Sequence, residues 1–352
     1  MNTKTTQAPP PASDSKHPMR VMFQGRISDK DRLRMKLTSP SFWIEKVWFF
    51  FRFVIMLGVS YVILSPFLSK ILQSFMAKED FVDATVSIIP KNWNLQMYKF
   101  LIIENEYFQA MFNTAALSLI CALLQTFCCC MVGYGLAKFK FKGNKLVTVL
   151  VIITMAVPHS TLRLSMLQHF VSFDLAAIQS FNMKGPIELI FGNTIKLTNS
   201  FWPLIIMSMA GIGLKNGLYI FMMRQFFRGV PDELEESAYV DGSGTFHTFV
   251  RIILPLSIPM MITIFLFAFS WQWTDSFYSE LFFAGAVNKT WLLPDIISTI
   301  PPSLETGYAG KAMYYSAIRN TGGILIILPL LIIYLFCQRY LVQGIERSGL
   351  VG

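Results

Sequence analysis

Six long apolar runs dominate the chain, near residues 47–75, 108–137, 146–170, 200–226, 256–284 and 320–342. A helix needs about 20 mostly apolar residues to cross a bilayer. In lipid, a helix is the open-chain form that satisfies its own backbone hydrogen bonds. The pattern predicts an all-α polytopic membrane protein with about six spans over residues 47–342, both chain ends on one side. The polar stretches between the runs are uneven. Those at 77–107, 171–199 and 285–319 are long and carry Pro, Gly and Trp, as in IIPKNWN and NMKGPIE. They read either as simple connections or as a surface for an external partner.

Residues 1–46 are polar, Pro-rich at first and then basic, with no early apolar segment of the signal-peptide kind. They are expected to form a cytoplasmic tail, disordered over residues 1–25, with a short helix near 28–37. A second, short tail is expected at 343–352.

Charge sets the orientation. Short loops on the cytoplasmic side carry the excess of Lys and Arg. The compact stretch KFKFKGNK, with Lys138, Lys140, Lys142 and Lys145, is the strongest indicator. It places both termini and the segment 229–255 in the cytoplasm. The net charge of +9 is explained by this topology, so nucleic acid is not the expected partner. The five cysteines, Cys121, Cys128, Cys129, Cys130 and Cys337, all fall inside predicted spans. Three in a row on a helix point in three directions, which is not metal-ligand spacing. They are read as small packing residues, and neither a metal site nor a disulfide framework is expected.

Between two apolar runs lies PDELEESAYVDGSGTFHTFVRIILPLSIP, residues 231–259. Pro231 suits a first helical turn, and Asp232, Glu233, Glu235 and Glu236 complement the positive end of the helix dipole. Asp241-Gly242-Ser243-Gly244 stops that helix. Phe246, Phe249, Val250 and Ile253 recur at helical spacing, and Pro255 and Pro259 are expected to redirect the chain into the next span. The result is a compact helix–turn–helix with an acidic and an apolar face. That apolar face must be buried against the membrane domain, lipid or a partner.

Glu236-Ser237-Ala238, then Gly242, then Ile252-Ile253-Leu254-Pro255, resemble the EAA loop of permease subunits in binding-protein-dependent ABC importers. The flanking FMMRQFFRGVPDELEESAYVDG, GYGLAKFKFKG, FSWQWTDSF and QRYLVQGIERSGLVG are similar to the MalG-type branch of carbohydrate permeases. The similarity covers roughly residues 47–352. Ser237 departs from the motif's Ala, and the long N-terminal tail has no counterpart in a typical member. The resemblance implies the type I importer permease fold in a bacterial cytoplasmic membrane. It implies a second permease subunit, two ATP-binding cassette subunits that hold ATP and Mg, and an extracytoplasmic solute-binding protein. In that setting Glu235, Glu236, Ser237, Ala238, Asp241, Gly242, Ile252, Leu254 and Pro255 would form the ATPase-coupling element. Glu236 would serve as a charged anchor and Gly242 would set the turn.

The chain carries no phosphate-binding loop. The nearest string, Gly307 to Ala312, lacks the spacing and the hydroxyl. His17, His159, His169 and His247 are scattered, which argues against a membrane-embedded enzyme. No cofactor is expected in this chain. Polar groups within spans are costly and often functional. Arg163 near His159, Lys215, Asn216, Tyr219 at i+4 from Lys215, and Trp271, Trp273 and Asp275 are therefore candidates for a substrate path. Alternatively, the tryptophans form an interfacial belt, or Lys215 pairs with Asp275. The resemblance implies an oligosaccharide as the solute, neutral or acidic, with a non-sugar solute as the alternative.

Overall fold

The computed structural model describes residues 38, 40–174, 185–283, 292–297, 299–301, 303 and 308–349. The expected disorder at 1–25, the expected helix at 28–37, residues 175–184 of the second long connection, residues 285–291, 298, 302 and 304–307 of the third, and the last three residues lie outside them. The chain divides into two compact units at Ser65 and Pro66. In the first, residues 43–64 form an apolar helix whose large side chains are exposed all round. This helix, α1, runs Pro40–Gln73.

Among the described residues the regular structure of the second unit is helical, joined by turns and irregular segments and by isolated bridges such as Met76 to Trp93. After α1 come α2 (Gln96–Ile103), α3 (Tyr107–Lys138), α4 (Asn144–Ala156), α5 (Arg163–Val171) and α6 (Pro186–Phe191). Then follow α7 (Trp202–Met209), α8 (Asn216–Arg228), α9 (Glu233–Val240), α10 (Thr245–Thr248) and a π turn over Phe249–Ile253. The chain continues as α11 (Leu254–Trp273), α12 (Phe277–Phe283), α13 (Leu293–Ile296) and α14 (Tyr308–Gly349). α14 extends past the apolar run that ends at 342, so the expected tail at 343–352 begins as helix.

Among the described residues, two of the six apolar runs are not single unbroken helices. Among the described residues four helices are long and apolar enough to cross a membrane: α1, α3, the continuous stretch Thr245–Trp273, and Tyr314–Tyr340 of α14, with a fifth span if a bent pair counts as one. The run 146–170 is a bent pair, α4 and α5, which turn by 95°. Pro158 is the cause, because a proline pushes the preceding residue out of the helical region, and Val157 is extended at ψ 118°. The run 200–226 is interrupted between α7 and α8, where Gly211 and Lys215 take positive φ of 73° and 64°.

The prolines of the loop also behave differently from expectation. Pro255 and Pro259 do not redirect the chain, since helix continues from Thr245 to Trp273. Pro255 lies inside this continuous helix, two residues after the π turn ends. The π turn just upstream widens the helix where an α turn would ask that absent N–H to bond Arg251.

α3 is the centre of the second unit and packs against α7, α8 and α11. Its buried face is built of small residues, among them Ala110, Thr114, Ser118, Cys121, Ala122, Thr126, Cys129, Cys130 and Gly133. Small side chains let helices approach closely in a bilayer, where dispersion contacts replace the hydrophobic drive. At Gly133 the approach is closest: a Cβ there would lie 2.5 Å from Met223 Cβ on α8. This packing role accounts for buried Cys121, Cys129 and Cys130, and all five thiols are free.

Proline in α14 is compensated from α3 and α11. Pro329 offers no N–H to the carbonyl of Leu325. The Tyr107 hydroxyl donates to that carbonyl instead, at 2.9 Å, and the Trp273 indole N–H donates to the next one, Ile326, at 3.1 Å. The connection between α1 and α2 is also well ordered by its own bonds. Asp80, 2% exposed, accepts the backbone N–H groups of Lys91 and Asn92 at 3.0 and 2.9 Å.

Candidate functional site

Two regions concentrate polar chemistry. The first is the loop at 229–255. Lys138, the last residue of α3, donates to the Val230 carbonyl at 2.7 Å and to Asp232 Oδ1 at 2.5 Å. Its charge holds the Asp232 carboxyl below the usual range, chiefly through that hydrogen bond. With its carboxylate engaged there, Asp232 makes no side-chain cap on α9. Glu235 points inward as well: it is buried, 3.7 Å from Lys138 Nζ, and accepts from the Tyr134 hydroxyl at 3.4 Å. Glu236, on the next helical position, faces outward and is exposed.

α9 ends in a Schellman motif. The N–H of Ser243 bonds the Ala238 carbonyl at 2.9 Å and the N–H of Gly242 bonds that of Tyr239 at 3.0 Å. This closure needs a left-handed residue, and Gly242 supplies it at φ 83°. Ala238 is buried while Ser237 is exposed, so the departure at 237 falls where size is unconstrained. The expected single apolar face over 246–253 is split. Phe249 and Ile253 turn inward, whereas Phe246 and Val250 turn out. Val240 and Phe246 leave 87% and 75% of their surface exposed. Asp241 is exposed, Ile252 and Leu254 are half-buried, and Pro255 is exposed.

The second region is a cavity of about 840 Å³ at the bend of α4 and α5 and the break before α8. Its lining includes Thr154, His159, Gly213, Lys215 and Asn216. Lys215 holds a left-handed conformation at the start of α8, and its ammonium lies 5.0 Å from the Trp271 ring centre. Among the described residues no ion pair joins it to Asp275. That carboxylate instead caps α12, accepting the Tyr278 N–H at 3.2 Å. His159 Nδ1 shares a 2.6 Å hydrogen bond with the Tyr278 hydroxyl.

Asn216 is 1% exposed, yet neither amide atom has a partner among the described residues. Gln125 Nε2 donates to Ser208 at 3.2 Å beside Gly213, and its carbonyl oxygen is equally unpartnered. Buried amides of this kind are rare unless water or a ligand satisfies them.

The structure therefore brings Lys215, Asn216 and Trp271 together. Trp273 is in the core with its N–H spent on α14. Tyr219 is buried against the helices, and Arg163 is exposed at the start of α5. Tyr134, Lys138 and Gln125 escaped sequence reasoning. Lys138 counted there only as a topology charge, and its place at the end of a long helix was the signal.

Residues 130–347, holding both the loop and the cavity's α8 wall, match the family described as "Binding-protein-dependent transport system inner membrane component". The chain belongs to this family. Family membership and the apolar helices make it a multi-pass membrane component of such a transport system. It is 27% identical over 317 residues to the "Arabinooligosaccharides transport system permease protein AraQ" of Bacillus subtilis, covering 89% of this chain and 99% of that one. It is also 27% identical to the "Maltodextrin transport system permease protein MalD" of Streptococcus pneumoniae, covering 84% and 93%. The fold resembles a chain in the structure titled "Crystal structure of bacterial alginate ABC transporter in complex with alginate pentasaccharide-bound periplasmic protein". The TM-score is 0.59 and identity 16%, over 85% of this chain and 96% of that one.

Proposed function

We propose that this chain is one membrane subunit of an ATP-driven oligosaccharide importer, working with a second permease subunit. Loop 229–255 faces the cytoplasm and takes force from an ATP-hydrolysing subunit, and the solute passes beside the cavity at the α7–α8 break. The observation that carries this reading is the exposure of Val240 and Phe246 around the Schellman turn, inside the family-matched segment. Large apolar side chains presented on a rigid turn are suited to a protein partner. The neighbouring lysines at 138–145 support a cytoplasmic loop and cytoplasmic termini.

Two partner subunits carry ATP and Mg, and their closure moves the loop and rocks the helices between inward-open and outward-open arrangements. A solute-binding protein delivers the sugar on the opposite face, the side to which this reading assigns the 74–95 connection. The oligosaccharide class is supported by the names of AraQ and MalD. The site agrees with it: a flat aromatic face at Trp271, an ammonium at Lys215 and unpartnered amides at Asn216 and Gln125 suit sugar hydroxyls.

Acidic oligosaccharides are a second reading, favoured by the lack of any carboxylate paired with Lys215 among the described residues. The importer reconstituted with its binding protein tests both readings. Glu236→Ala or Phe246→Ala is expected to lower solute-stimulated ATP hydrolysis with the subunit still in the membrane. Wild-type rates in both would reject the coupling role. A panel of neutral and uronate sugars, with Lys215→Met, separates the two solute classes. If uronates drive uptake and Lys215→Met abolishes it, the acidic reading holds. If only neutral sugars do and Lys215→Met is silent, it falls.

A further inference from the structure

The last turn of α3 grips the loop at both ends. On the entry side, the Lys138 side chain is only 6% exposed. Its ammonium meets the Val230 carbonyl, Asp232 and Glu235 within 3.7 Å. A lysine so withdrawn from water is costly unless its charge is met, and here two carboxylates and a carbonyl meet it. On the exit side, the Tyr134 ring lies 4.6 Å from the ring of Phe249 in the π turn and 5.4 Å from Phe227 at the end of α8. The Tyr134 hydroxyl reaches Glu235 as well. One helical turn, Tyr134 to Lys138, thus fastens the segment leaving α8, the first turn of α9 and the segment entering α11.

The backbone and the packing of Phe249 and Ile253 join the loop to α8 and α11. The Tyr134 and Lys138 side chains add α3, which carries the small-residue face packed against α7, α8 and α11. Glu235 and Glu236 therefore divide the work. Glu236 is exposed for a partner, and Glu235 is turned back into the chain.

We propose that Lys138 and Tyr134 are positioning residues that tie the loop to α3, so that loop displacement reaches the central helix and the cavity break beside it. The proposal rests on the reading that the loop receives force from an ATP-hydrolysing subunit. Lys138→Met leaves the buried Glu235 carboxylate without its cation, which loosens the entry-side hold of α3 on the loop.

The test uses the complete importer in proteoliposomes, with sugar uptake and ATP hydrolysis measured separately. Lys138→Met is expected to raise the ATP consumed per sugar imported by about tenfold, within the usual range of coupling energies. Lys138→Arg keeps the charge and is expected to restore most of the stoichiometry. The exchanged pair Lys138→Glu with Glu235→Lys is expected to recover part of what Lys138→Glu alone loses. Tyr134→Phe keeps the ring and is expected to be milder than Tyr134→Ala. Should Lys138→Met fail to accumulate in the membrane, Glu235→Gln tests the same contact at nearly constant volume and is expected to raise the same ratio.

Glu236→Ala and Phe246→Ala run alongside. If they impair turnover while Lys138→Met, or Glu235→Gln in its place, keeps the wild-type stoichiometry, the tie to α3 is wrong and the coupling role stands. If all of them are silent, the coupling role fails and the proposal with it.

Discussion

The two polar regions differ in how completely their groups are partnered. Around Lys138 the buried ammonium is met by the Val230 carbonyl, by exposed Asp232 and by Glu235, whose Oε2 accepts from Tyr134 while its Oε1 has only the ion pair at 3.7 Å. Around Asn216 a nearly inaccessible amide and the Gln125 carbonyl have no partner among the described residues. A buried polar network holds its members in place to the extent that they are partnered. The contrast also runs through the backbone. The loop turns on a single left-handed glycine, Gly242, while the cavity's edge holds a left-handed lysine, Lys215, a conformation that costs a non-glycine residue about 1–2 kcal/mol. Such local strain collects at functional sites.

The largest effect expected from breaking this comparison lies at the α4–α8 wall of the cavity. A Cβ at Gly217 would run into the Thr154 hydroxyl oxygen, so Gly217→Val must push the two helices apart. Overpacking costs about 1–3 kcal/mol. A lowered midpoint of thermal unfolding in detergent is the expected readout, with uptake lost; an unchanged midpoint would show that the wall is pliable.

Next in size is Gly242→Ala. Nothing lies within 4 Å of a Cβ there, so the penalty is conformational alone, about 1–2 kcal/mol. Hydrogen exchange over 233–244 is expected to quicken, and uptake to fall. Unaltered exchange would mean that α9 closes without a left-handed residue.

A smaller effect on stability separates path from packing. Asn216→Leu removes an amide that has no partner, and replacing such a group by an apolar one is close to neutral for the fold. Stability is expected to hold while uptake falls. If uptake holds as well, Asn216 belongs to the packing and not to the path.

The smallest effect concerns pH. The Asp232 carboxyl is held below its usual range by Lys138. A depressed carboxylate contributes in full above its unfolded pKa, about 4, and loses that contribution as pH falls through the lower folded value. Loop protection is therefore expected to be flat from about pH 5 to 8 and to decline only below about 4. A decline near neutral pH would point to another group.

Much of this was legible in the sequence, and the misses have physical causes. Apolar runs mark α1, α3, the helix ending at Trp273 and α14, because lipid demands unbroken backbone bonding. Run length alone does not show that Pro158 bends one run by 95° or that GIGLKN interrupts another. The acidic start of α9 and the Gly242 turn were readable from local chemistry. Which glutamate faces inward was not, because that depends on Lys138, which arrives from a distant part of the chain. The π turn was invisible for a similar reason: its inward residues, Phe249 and Ile253, are chosen by the Tyr134 ring and the α3 core. Trp273 and Tyr219 looked like path residues because polar atoms inside spans draw attention. In the fold they face neighbouring helices, and the Trp273 N–H repairs the backbone near Pro329.

The most direct measurement is site-specific photocrosslinking at Phe246, 75% exposed on the loop. A photoreactive phenylalanine analogue is placed there in the complete importer, and the adduct is identified by mass. The expected product joins this chain to an ATP-hydrolysing subunit, with a yield that changes when ATP is bound. An adduct to the solute-binding protein, or to lipid alone, would contradict the loop's place and role.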